Sequence, residues 1–104
     1  MNSISIAQII ADAVVFFELV DDETLDPRIC VKQMELLGYR LENLERTFLR
    51  ELVDAFPVVA AGYEGRAAEV VRDIPYYFFL EEELAADDPV ELARLEAIRD
   101  ARED

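Results

Sequence analysis

Histidine is absent from this sequence, and cysteine occurs only once, at position 30. Without histidine, no Ser–His–Asp or Cys–His arrangement for nucleophilic catalysis can be built. One cysteine forms neither an intrachain disulfide nor a cysteine-based zinc site, which fits a reducing compartment. No glycine-rich phosphate loop occurs either. We therefore predict a protein that is not an enzyme and that uses no cofactor.

Long apolar runs are also missing. No segment approaches the ~20 uninterrupted apolar residues that span a bilayer, and Asp12 and Glu18 interrupt the apolar N-terminal segment. The N-terminus has no basic region of the kind that begins a secretory signal. These features predict a cytoplasmic protein that does not bind membranes.

Basic residues are few, since 10 lysines and arginines stand against 24 aspartates and glutamates, giving a net charge of −14. Nucleic acid phosphates and anionic membranes repel such a surface. A basic protein is attracted to it, and the encounter is accelerated. We therefore exclude nucleic acid as a partner and expect a basic protein.

The apolar residues that are present follow a helical period. They make up 53% of the chain, which is enough for the core of a single helical domain over residues 1–104. We predict an all-α fold, a compact bundle of five or six short helices. Their expected bounds are about 5–20, 27–37, 41–56, 66–74, 76–86 and 88–101.

Local patterns indicate where these helices begin. A serine or aspartate followed three residues later by glutamine or glutamate is typical of a capping box, and aspartate before proline is typical of an N-cap and first helical residue. The pairs are Ser5 with Gln8, Asp26 with Pro27, and Asp88 with Glu91. The first helix is expected to bury one stripe: Ile6, Ile10, Ala13, Phe17 and Val20.

Glycine and proline indicate where helices end. Gly38 is expected to close the second helix in the left-handed conformation, after Cys30 has been buried on its apolar side. Pro57 is expected to stop or kink the third helix, and Pro75 to break the fourth. The aromatic run that follows Pro75 has strand propensity, but it lacks a partner strand, so we interpret residues 76–86 as helix.

One segment combines aromatic and acidic residues. Four consecutive aromatics at positions 76–79 precede three glutamates at 81–83, and residues 69–88 carry seven acids against Arg72, a net charge of −6. Successive helical residues are ~100° apart, so at least one of the two tyrosines should point outward. Exposed tyrosine beside carboxylates is typical of a protein-binding anchor, although core packing explains the aromatics equally well. The predicted partner-binding residues are Asp73, Tyr76, Tyr77, Glu81, Glu82 and Glu83, with Asp21, Asp22 and Glu23 as a second patch.

Two groups of carboxylates resemble metal sites. The acids of residues 21–26 lack the glycine and terminal glutamate of a calcium loop. The pairs Glu42-x-x-Glu45 and Glu51-x-x-Asp54 resemble the magnesium-binding pairs of all-α nucleotide pyrophosphatases. Both pairs fall on one predicted helix, where a solvated polar face is the simpler interpretation. We therefore predict no metal site.

Two resemblances concern bacterial toxin systems. Asp73, Tyr76 and Tyr77 resemble the aspartate and adjacent tyrosines with which colicin-type immunity proteins, which are acidic helical bundles, bind their toxins. Residues 14–65 resemble a bacterial helical domain family found near polymorphic toxins, through Phe16-Phe17-Glu18-Leu19, Asp21-Asp22-Glu23 and Leu41-Glu42-Asn43-Leu44-Glu45. The resemblance implies an immunity protein, as in contact-dependent growth inhibition or colicin systems.

The functional hypothesis is an immunity protein that binds and neutralises a basic toxin, expected to be a nuclease domain, by stoichiometric inhibition. Two alternatives remain open at the level of sequence. One is an acidic adaptor or regulator of another basic protein, and the other is an all-α magnesium-dependent nucleotide pyrophosphatase. The last alternative requires Glu42, Glu45, Glu51 and Asp54 to face a shared pocket.

Overall fold

The computed structural model describes residues 2–103, and all of its regular structure is helical. Seven helices occur in this range, which confirms the all-α prediction and exceeds the predicted count. They are α1 (Ser3–Leu19), α2 (Pro27–Glu42), α3 (Arg46–Ala60), α4 (Gly65–Arg72), α5 (Ile74–Tyr77), α6 (Leu80–Leu84) and α7 (Pro89–Glu103).

Short-range capping is predicted well at two of three starts. The Asp26 carboxylate accepts from a backbone N–H at the start of α2, with Pro27 in its first turn. Asp88 accepts from the N–H of Glu91 at 3.1 Å, but the Glu91 side chain pairs with Arg94 instead of completing a capping box. At α1 the prediction is wrong, because Asn2 is the N-cap and accepts from the N–H of Ile4 at 2.9 Å.

The boundary between α2 and α3 differs from the prediction. Gly38 does not end α2, because it is a buried residue within the helix. A Cβ atom at this position would lie 2.9 Å from Cδ1 of Phe78, so the glycine allows α2 to approach that ring closely. The helix continues through Leu41, which is buried, to Glu42.

The N-cap of α3 is Glu45, whose carboxylate accepts from the backbone N–H groups of Thr47 and Phe48. Pro57 does not end this helix, which continues to Ala60. A proline so near the C-terminal end removes one helical hydrogen bond. The two residues that follow Val58 are buried, and their burial offsets that loss.

The core lies between α1, α3 and α4, which pack against one another. The predicted stripe of α1 borders this interface, whereas its centre is formed by Ala7, Ala11 and Val14. The small side chains of Ala7 and Ala11 let the axes of α1 and α3 come close together. The α3 side of this interface includes Leu49, Leu52 and Phe56, which are almost completely buried.

The aromatic segment does not form the single predicted helix. It divides into α5 and α6, because Phe79 adopts a left-handed conformation with φ of 57°. This conformation costs a non-glycine residue ~1–2 kcal/mol. Ile74, Phe78 and Leu80 are buried around the break, and their burial holds the turn in place. Tyr76 and Tyr77 both precede this break and, as adjacent helical residues, they point to different surfaces.

Helix α7 packs against α6 without a single buried residue. Helix α2 packs against α1 and α6. Its buried residues are Cys30, as predicted, with Met34, Gly38 and Leu41. Helix α7 borders the surface that holds Tyr76, and α2 borders the surface that holds Tyr77.

Candidate functional site

Tyr76 faces α7 and is enclosed by arginine side chains. The guanidinium carbons of Arg99 and Arg102 lie 3.9 and 3.8 Å from the centre of its ring, within the range of cation–π attraction. Its hydroxyl donates to Oε1 of Glu103 at 3.1 Å. The pKa of Tyr76 is raised, mainly by partial desolvation and to a smaller extent by this hydrogen bond. Tyr76 therefore serves as an attachment point for α7.

Three of the predicted binding acids form ion pairs within the chain. Asp73 pairs with Arg102 at 2.7 Å, and Glu81 pairs with Arg50 at 2.6 Å. Glu82 pairs with Arg99 at 2.7 Å, where the two side chains are only 15% and 12% exposed. The net charge of −6 in the sequence segment is therefore partly neutralised by arginines from α3 and α7. Glu83 is exposed and forms no ion pair with any residue from 2 to 103.

The second predicted patch, residues 21–23, lies in the connection between α1 and α2. The Asp21 carboxylate accepts from the backbone N–H of Thr24 at 2.7 Å. Hydrogen bonds from Thr24 lower the pKa of Asp21. Asp21 thus stabilises the turn, whereas Asp22 and Glu23 are exposed.

A groove runs along α2 and consists of two adjoining recesses of about 460 and 210 Å³. Both recesses are lined by Val31, Met34 and Tyr77. The larger one lies between α2 and residues 77–79, and the smaller one lies between α2 and the end of α1. We call this feature the α2 groove.

The α2 groove combines aromatic and acidic side chains. Tyr39, Tyr77 and Phe79 line it, and each is more than half exposed. Its acidic residues are Glu18, Asp22, Glu35 and Glu42. Neither recess has a lysine or arginine among the described residues that line it. The groove therefore offers apolar contact area inside a uniformly negative border.

Tyr77 lies where the two recesses meet. It is 52% exposed, and its ring packs edge-to-face on Phe78 with centroids 5.2 Å apart. The pKa of Tyr77 is raised, mainly by desolvation. The negative charge of Glu18 and a hydrogen bond to that carboxylate raise it further. The expectation that at least one of the adjacent tyrosines points outward is confirmed.

No family model, curated protein or solved structure matches this chain. The candidate site is therefore defined by its own geometry. No helix in the described range is both long enough and apolar enough to cross a membrane.

The structure brings together one residue from each predicted patch, because Tyr77 and Asp22 line the same recess. Asp73, Tyr76 and Glu82 lie instead around a third recess, beside α7. The contribution of α2 was not predicted from the sequence. The sequence did contain a signal, because Val31 and Tyr39 are apolar or aromatic residues of α2 outside its buried set, and both are exposed and line the groove.

The four carboxylates of the pyrophosphatase alternative do not share one helix, contrary to the prediction. Glu42 is the last residue of α2, and Glu45 caps α3. Asp54 pairs with Arg50 at 2.8 Å. Among residues 2–103 there is no group of three or more histidine, cysteine, aspartate or glutamate side chains arranged to hold a metal ion.

Proposed function

We propose that this protein is a cytoplasmic immunity protein, which binds a basic nuclease toxin and inhibits it stoichiometrically. The observation that carries the proposal is the α2 groove, with three half-exposed aromatic rings, four acids and no basic residue in its described lining. Aromatic side chains in a recess supply the anchors of protein interfaces. The surrounding carboxylates complement a surface that normally holds phosphate.

Charge serves two purposes in this proposal. The net charge of −14 accelerates the encounter with a basic protein. The acids of the groove form no ion pair with another residue of the described range. They can therefore pair with an arginine or lysine of the partner without breaking an existing ion pair. Asp73, Glu81 and Glu82 are already paired, so we assign them to holding the fold and to the long-range field.

The test uses the basic domain encoded by the gene next to this one. We expect the purified protein to bind that domain in a 1:1 complex and to abolish its nuclease activity at one equivalent. Co-expression should restore growth to cells that produce the domain. An unrelated basic nuclease is the control, and it should keep its activity.

Either of two results would contradict the proposed function. One is that neighbouring genes encode no basic domain which the protein binds. The other is equal inhibition of the unrelated nuclease, because net charge alone would then account for the effect. Specific binding of a basic DNA-binding factor instead would support the adaptor alternative.

A further inference from the structure

The lining of the α2 groove follows one face of α2 along most of its length. Helix α2 spans 16 residues, which corresponds to about 24 Å at 1.5 Å per residue. The smaller recess lies against Pro27 at the start of α2, and the larger one reaches Glu42 at its end. A bound helix of about four turns would therefore contact the whole groove.

The interior of the groove is apolar. Met34 and Phe78 are nearly buried at its base, and Val31, Tyr77 and Phe79 stand beside them with about half of their surface exposed. Gly38 lies in close contact with Phe78, so no side chain projects from this point of α2 into the groove. An apolar stripe at positions i, i+3, i+4 and i+7 is the pattern that fits such a site.

Acidic residues stand at both ends. Glu18 and Asp22 border the recess near the start of α2. Glu35 and Glu42 border the other recess. An occupant therefore needs positive charge beside its apolar stripe towards both ends of the groove.

We propose that the α2 groove binds an amphipathic helix of the partner protein, whose apolar stripe is flanked by lysine or arginine. The inference rests on the proposed function, because it names the part of the basic partner that binds. Added β-strands are disfavoured, because the regular structure of residues 2–103 is helical and offers no sheet edge. A second copy of this chain would bring the same acids and be repelled.

The direct test uses a synthetic peptide of about 16 residues, matched to the length of α2. Leucines and one tryptophan form its apolar stripe, and lysines flank that stripe. The protein contains no tryptophan, so the fluorescence of the peptide reports binding alone. We expect saturable binding with a blue shift, and at least about ten-fold weaker binding of a scrambled peptide of the same composition.

Two exposed valines provide a matched pair of variants. Val31 lines the groove and is 54% exposed, whereas Val58 is 61% exposed and lines a separate recess beside Glu51. We expect Val31→Arg to weaken binding of the helical peptide about ten-fold or more, because it adds bulk and a like charge inside the groove. Val58→Arg changes net charge equally and should leave the affinity within about two-fold.

A second pair of variants tests the acids without adding bulk. We expect the double substitution Glu35→Gln and Glu42→Gln to weaken peptide binding more than Glu51→Gln with Glu64→Gln, which removes the same charge elsewhere. Circular dichroism and thermal unfolding verify that all variants remain folded. Equal effects of the two double variants would overturn the proposal, because the field of the whole molecule would then be responsible.

The remaining outcomes separate this inference from the proposed function. If Val31→Arg still neutralises the basic domain as well as the unchanged protein does, the groove inference is wrong and the proposed function stands. If the protein binds the helical peptide specifically but no toxin domain, the proposed function is wrong and the groove inference stands. Failure to bind the helical peptide, or a wild-type dimer that Val31→Arg separates into monomers, would overturn the groove inference.

Discussion

The Arg99 side chain attaches α7 to the aromatic segment through several different contacts. Its Nε donates to Glu82 at 2.7 Å, and its Nη2 donates to the carbonyl oxygen of Tyr76 at 2.7 Å. Its guanidinium carbon also lies 3.7 Å from the centre of the Phe79 ring. Because no residue of α7 is buried, these polar and cation–π contacts replace the usual apolar interface.

We predict that Arg99→Ala lowers the free energy of unfolding by about 2–3 kcal/mol, because it leaves the mostly buried Glu82 without its partner. Urea denaturation measures the change. Arg28→Ala is the matched control, since the Arg28–Asp26 pair is largely exposed and surface pairs contribute little. Similar losses in both variants would contradict a special role for Arg99.

At the candidate site, the sequence predicted that one of two adjacent tyrosines is exposed, but not which one. The helical geometry of adjacent residues correctly required an outward-pointing tyrosine. The choice of Tyr77 depends on α7, whose Arg99 and Arg102 cover the ring of Tyr76. The break between α5 and α6 depends on the left-handed conformation of Phe79, and the sequence offers no glycine there to indicate it. Burial of Ile74, Phe78 and Leu80 around the turn stabilises that conformation, and this packing is a property of the folded chain.

Helix α2 is positioned by one glycine. We predict that Gly38→Ala destabilises the protein by about 1 kcal/mol, although alanine favours helices over glycine. The added Cβ would lie 2.9 Å from Cδ1 of Phe78. Phe78 is only 8% exposed and its ring packs on that of Tyr77, so a shift of the ring disturbs this packing. Thermal and urea unfolding measure the effect.

Gly62→Ala is the control for this prediction. A Cβ at Gly62 would meet only the carbonyl oxygen of Val59 at 3.5 Å, which is an ordinary contact, so we expect no loss of stability. In a Phe78→Leu background the cost of Gly38→Ala should shrink, because the smaller side chain leaves space. A stabilising Gly38→Ala would mean that helix propensity outweighs this contact.

The starts of α2 and α7 depend on local chemistry and could be predicted, whereas the continuations of α2 and α3 accompany packing and could not. Asp26 and Asp88 cap their helices through backbone groups within three residues. The continuation of α2 past Gly38 accompanies close packing on Phe78, and the continuation of α3 past Pro57 accompanies the burial of Val59 and Ala60. The α2 groove was missed for the same reason, because its walls come from distant segments.

The whole molecule carries a large excess of negative charge. The ion pairs formed within residues 2–103 engage six of the 10 basic residues and eight of the 24 acids of the sequence. Most of these pairs are well exposed, and the Arg99–Glu82 pair is the most shielded. Repulsion among the remaining acids therefore opposes folding.

We predict that sodium chloride raises the melting temperature at neutral pH, because ions screen this repulsion more than they weaken the short ion pairs. Differential scanning calorimetry at increasing salt measures the shift. Tetramethylammonium chloride should act similarly if screening is the cause. A falling melting temperature would show that the ion pairs outweigh the repulsion.

Phe79 belongs to two surfaces at once. Its ring lines the α2 groove, and it also supports the guanidinium group of Arg99 in α7. Coupling between two such sites is reciprocal. A ligand that holds this ring in place would also slow proteolytic cleavage within α7, and release of α7 would loosen one wall of the groove. The protease sensitivity of the C-terminal helix is thus a remote indicator of occupancy in a groove that it does not line.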